Sequence, residues 1–172
     1  MTNYRYKARA LGAMALALAT TKKDRAGATA LLAEAFELLE RTAGGKDDMW
    51  DGLAMACTVA ASLLPIVEQV DPTLVREYLW RTLALRPAWR SGDARDEIPL
   101  IAGTRVAAMV ARYDREAARQ ILDVLLAAER AKASSAKESE ASYYLEALAK
   151  ATAFVAPPHA VLLLVRLPES SN

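Results

Sequence analysis

Acidic side chains recur at Glu34, Glu37 and Glu40 and crowd again at Asp93, Asp96 and Glu97. Grouped carboxylates can serve as general acid and base or bind a hard cation. The settings of both groups favour a plainer role. Glu34 to Glu40 alternate with Leu31, Leu32, Ala35, Phe36 and Leu38, the pattern of an amphipathic helix with its wet face acidic. The second group is interleaved with Arg90 and Arg95 and reads as a solvated loop. His159, the only histidine, follows Pro157 and Pro158 and is placed to begin a helix. Cys57, the only cysteine, stands in the apolar run 54–64 and reads as a small buried hydrophobe. One His and one Cys leave a zinc site or a Cys/His dyad without partners. The seven glycines fit neither the Walker nor the dinucleotide pattern. No catalytic, cofactor-binding or metal-ligating residue is assigned, no cofactor is expected, and the chain reads as noncatalytic.

Arginine offers a different chemistry. Between Arg76 and Arg119 there are nine arginines and no lysine. Guanidinium groups make bidentate bonds to carboxylate and phosphate and stack on aromatic rings. Arg76 precedes Trp80 by one helical turn, at a spacing that permits a cation–π contact, and Trp89 follows nearby. Arg76, Trp80, Trp89 and Arg119 are therefore the candidate partner-binding residues. Six acids in the same span hold the excess positive charge to a level below that of most nucleic-acid grooves. A protein or peptide partner is expected, with a mixed solvated surface as the plain alternative and a nucleic-acid site as the remaining one.

The elements that position these residues follow from a repeat. Turn residues at Asp24, Asp71, Asp114 and Pro157 are spaced by 47, 43 and 43 residues. Seven of the eight residues that stand seven and eight before the turns are apolar, as at Leu63/Leu64 and Val106/Ala107, and apolar pairs recur after them, as at Leu31/Leu32, Tyr78/Leu79 and Ile121/Leu122. Offsets of 3, 4, 7 and 8 mark one face of a helix. The expected architecture is all-α, an α-α superhelix or solenoid of about four hairpins and eight helices in a single domain, 1–172. The hairpins are placed at about 4–42, 49–86, 98–131 and 140–167. Asp71 as N-cap with Pro72 at the first helical position is the clearest helix start. Pro65 is expected to kink its helix, and 87–97 reads as the longest loop. Residues five and nine after each turn are expected to share one face, which groups Thr29/Ala33, Arg76/Trp80, Arg119/Asp123 and Leu162/Arg166.

The segment from Val161 to Leu167 is almost wholly apolar and reads as a terminal helix or a strand. A terminal solenoid helix should show water a polar face. Self-association, a partner, further repeats or burial inside a bundle would each cover it.

At the second hairpin, Asp71-Pro72-Thr73-Leu74-Val75-Arg76, with Pro65 upstream and Leu79, Leu83 and Leu85 downstream, resembles a HEAT repeat. The third hairpin keeps Asp114 and has Arg119 at the arginine position, the first keeps Asp24 with Thr29 there, and the fourth has Pro157. The chain also looks like the sensor or scaffold arms of bacterial multidomain proteins and like tetratricopeptide arrays, whose shorter period fits less well. The resemblance implies a structural ladder in which turn aspartates meet helix arginines of adjacent repeats, mapped here onto Asp71 with Arg119 or Asp114 with Arg76.

Composition narrows the partners. Lys plus Arg (22) nearly cancels Asp plus Glu (21), so no global field draws the chain to nucleic acid or an anionic membrane, although local patches are allowed. No run is long enough to span a bilayer. A lone cysteine fits a reducing compartment, and a cytoplasmic location is expected. A competing reading takes Arg5, Lys7 and Arg9 before the apolar stretch 11–19 as a signal peptide ending near Ala19. The function expected is that of a helical-repeat scaffold or sensor mediating protein–protein interaction. The alternatives are a nucleic-acid-binding repeat and an accessory domain of a larger multidomain enzyme.

Overall fold

A computed structural model describes residues 4–43, 49–85 and 97–133. The regular structure among these residues is entirely helical, with six α-helices. They are α1 (Tyr4–Ala17), α2 (Arg25–Ala43), α3 (Met49–Val70), α4 (Val75–Ala84), α5 (Glu97–Val110) and α6 (Arg115–Ala133). A π-helical turn, Leu18–Lys22, follows α1, and a 3₁₀ turn, Pro72–Leu74, precedes α4. The chain divides into two compact units, 1–87 and 88–172. The expected fourth hairpin at 140–167, with Pro157, His159 and the Val161–Leu167 segment, lies outside the described residues.

In the first unit α1 packs on α2 and on α3, α2 packs on α3, and α3 packs on α4. The inward face of α1 is written by Ala8, Leu11, Gly12 and Ala15, at helical spacings of three and four. Gly12 lets α1 approach α3 closely: a Cβ there would stand 2.5 Å from Leu63 Cδ2, and the leucine side chain would have to move. The centre of this unit is filled by Leu32, Phe36, Leu39, Leu63, Leu64 and Val67, none more than 2% exposed. Cys57 is fully buried as expected of a small hydrophobe, with its thiol 3.5 Å from the Thr82 carbonyl oxygen. Thr82 in turn donates its hydroxyl to the Tyr78 carbonyl at 2.8 Å, so this buried polar group on α4 is satisfied within its own helix. Pro65 lies inside α3. Three residues earlier, Ser62 donates its hydroxyl to the Val59 carbonyl at 2.6 Å.

In the second unit α5 packs on α6. Val106, Ala107 and Val110 from α5 and Ala118, Ile121 and Leu122 from α6 are buried.

The three described turns share one device. Asp24 Oδ1 accepts from the Gly27 amide at 2.9 Å, Asp114 Oδ1 from the Ala117 amide at 2.9 Å, and Asp71 Oδ1 from the Thr73 amide at 2.9 Å and its hydroxyl at 2.7 Å. Each carboxylate satisfies an amide that the first turn of a helix leaves without an internal partner. Asp71 reaches one residue less far because Pro72 opens a 3₁₀ turn. The burial pattern keeps the same register: eight residues after these aspartates Leu32, Leu79 and Leu122 are buried, and eleven after them Ala35, Thr82 and Leu125.

The exit from α1 differs from the other turns. Its last residues widen into the π-turn, Lys23 adopts the left-handed conformation with φ 53°, and its amide bonds the Leu18 carbonyl. Asp24 donates its own amide to the same oxygen at 3.2 Å. Two amides converging on one carbonyl stop the helix without a glycine.

Candidate functional site

The arginines of α4 occupy two contrasting settings. Arg81 bonds Glu40 of α2 through both carboxylate oxygens, Nε to Oε1 at 2.7 Å and Nη2 to Oε2 at 3.0 Å. Its guanidinium carbon also lies 5.3 Å from the Phe36 ring centre and 5.2 Å from that of Tyr78. These two rings meet edge to face, 4.6 Å apart at 76°. The bond to Glu40 holds the Arg81 pKa above its ordinary value. Burial pushes the Tyr78 hydroxyl up, against the opposing pull of the Arg81 charge. The result is a charged clasp over an aromatic pair, which ties α2 to α4.

Arg76 and Trp80 lie on the solvent side of the same helix. Trp80 is 64% exposed, while Tyr78 and Leu79 beside it are 2% and 7% exposed. Arg76 is exposed one turn before it, flanked by exposed Glu77. The stacking expected of Arg76 on Trp80 is made instead by Arg81 on Phe36 and Tyr78, and Arg76 is not among the described arginines that lie over a ring. The physical difference is cover: Arg81 sits at a helix–helix seam where two ring faces are offered, whereas Arg76 points away from that seam.

Arg119 is exposed on α6, in the second unit, and reaches Asp123 one turn on at 3.9 Å. Trp89 lies outside the described residues, as does most of the 87–97 loop with Asp93 and Asp96. The carboxylates of Asp71 and Asp114, assigned by resemblance to a cross-repeat ladder, are engaged as helix caps in their own turns. The Thr73 hydroxyl and amide hold the Asp71 carboxyl below its ordinary range.

The acidic stripe of α2 also resolves into separate contacts. Glu34 meets Lys7 of α1 at 3.2 Å, Glu37 meets Arg41 at 2.9 Å, and Glu40 meets Arg81. The three point to three different cations, so the stripe makes contacts along its length and does not converge on a point. Among the described residues no three His, Cys, Asp or Glu side chains come together as a metal site, and no helix is long and apolar enough to cross a membrane.

Sequence reasoning identified the exposed Arg76/Trp80 pair from its register but missed the clasp. Glu40 and Arg81 are 41 residues apart, and each alone looks like an ordinary surface charge. The available signal was the coincidence of Phe36 and Tyr78, both at buried positions, each within a turn of one partner of the ion pair.

Comparison with known protein families, with characterised proteins and with solved structures finds no match to this chain.

Proposed function

We propose that the chain is a noncatalytic α-solenoid of HEAT-like hairpins that scaffolds or senses by binding a protein or peptide on the outer face of α4. The observation that carries the reading is Trp80, a large aromatic held 64% exposed directly after buried Tyr78 and Leu79. Exposed Trp and Arg are the residue types that most often dominate the energy of a protein interface. A rigid helix presents both without the ordering cost that a flexible loop would carry.

The packing order of the first unit supports a two-layer stack. First helices α1 and α3 pack on each other, and second helices α2 and α4 meet through the side chains of Phe36 with Tyr78 and Glu40 with Arg81. The bridging contact runs from α2 to α3. These contacts support a reading as hairpins stacked side by side.

The test is affinity capture on the immobilised wild-type chain and on Arg76→Ala/Trp80→Ala, with melting temperature as the folding control. The partner is expected to be lost from the double variant while both chains melt together. Equal capture by the two would remove the site. Capture of RNA or DNA with affinity falling steeply in salt would replace the peptide reading with the nucleic-acid one.

A further inference from the structure

The first 23 residues hold five cations, Arg5, Lys7, Arg9, Lys22 and Lys23, and no carboxylate. Residues 4–22 form α1 and its π-turn, and α1 buries only one side. On the other side stand Tyr6, 68% exposed, and Met14, 55% exposed, in line with exposed Ala10, Ala13 and Ala17. Beyond the strip, exposed Thr20 and Thr21 donate their hydroxyls to the Leu16 and Ala17 carbonyls.

Charge is distributed around the strip in a definite way. On the neighbouring α2, Glu34 is engaged by Lys7 and Glu37 by Arg41. Arg9 lies beside the strip, between Tyr6 and Ala10, and Lys22 and Lys23 follow its last residue; all three are exposed. An exposed strip carrying Tyr and Met, flanked by cations and with no acid along it, offers both apolar side chains and positive charge to a lipid interface.

We propose that the outer face of α1 docks on an anionic lipid surface, with Tyr6 and Met14 entering the headgroup layer and Arg9, Lys22 and Lys23 meeting lipid phosphates and carboxylates. The helix lies on the membrane and does not cross it. This site is separate from the outer face of α4 and stands on different residues.

Co-sedimentation of the full chain with vesicles of phosphatidylcholine, alone and mixed with phosphatidylserine, tests it. Binding is expected only with the anionic lipid and is expected to weaken as salt rises. Each cation near the surface contributes roughly a fivefold change in partition, so Arg9→Glu/Lys22→Glu/Lys23→Glu should lower binding by more than about a hundredfold. Tyr6→Ser/Met14→Ser should lower it further than a change of charge-neutral residues elsewhere, and Arg76→Glu on α4 should leave it unchanged. The substituted side chains are all exposed, so helicity should be preserved in every variant. Equal binding to neutral vesicles, full binding by the triple variant, or indifference to the Tyr6/Met14 change would overturn the proposal. So would binding of polyglutamate or RNA by this face in the absence of any vesicle binding.

Discussion

The two faces of α4 carry the same residue types and have opposite surroundings. On one, Arg81 grips Glu40 and covers the Phe36–Tyr78 pair. On the other, Arg76 and Trp80 face solvent. An arginine beside an aromatic is therefore not one signal but two. Where the aromatic is buried against a second helix, the arginine becomes a structural clasp. Where it is exposed, the pair remains available to a partner.

The largest way to disturb the clasped face is to remove the ring beneath it. Phe36 is fully buried, and Phe36→Ala should cost about 3–5 kcal/mol, from lost burial and the cavity left behind. Chemical denaturation would read this as a lower midpoint with an unchanged slope. A loss well under 1 kcal/mol would mean that Phe36 does not hold the unit together.

Next in size are the turns that place the faces. Asp114→Ala should cost about 1 kcal/mol through the lost bond to the Ala117 amide, and Asp114→Asn should restore most of it. Equal loss in both variants would assign the effect to the carboxylate's charge. A thermal melt of the three chains separates these outcomes.

The ion pair itself is smaller. With side chains 22% and 39% exposed, Arg81 and Glu40 are partly screened by water. A double-mutant cycle with Arg81→Met and Glu40→Gln should give a coupling of about 0.5–1 kcal/mol that shrinks in salt. No coupling would reduce the clasp to stacking alone.

The pH dependence of the same cluster follows from Tyr78. Burial raises its folded pKa, so its contribution to stability is full below the unfolded tyrosine value and is lost as pH rises through the folded one. Alkaline difference absorbance should show one tyrosine ionising above the others, and Tyr78→Phe should remove that step. Asp71 works at the other end of the scale. Its lowered pKa supplies stability above the ordinary carboxylate range, which is lost as pH falls through the folded value.

The helices of both units were legible because local rules agreed with one another. Asp71-Pro72 marks a helix start in capping chemistry and in backbone geometry alike, and Leu32, Leu79 and Leu122 repeat one buried position. Trp80 was legible as a surface residue because it falls one residue past a buried one in that register. What stayed hidden depends on contacts between distant parts of the chain. Glu40 with Arg81 needs two helices to meet at a particular rotation, and Gly12 gains its meaning only from Leu63. The π-turn after α1 was also hidden, since Lys23 carries the left-handed conformation that a glycine would have announced.

The contrast between the faces is tested most directly by the environment of Trp80. In a Trp50→Phe/Trp89→Phe chain it is the remaining tryptophan. Its fluorescence in the free protein should be red-shifted and fully open to acrylamide. Addition of a partner captured by the wild-type chain should shift the emission to the blue and shield it from quenching. Emission that is already blue and shielded in the free protein, or unchanged when the partner binds, would contradict the assignment of this face as the binding surface.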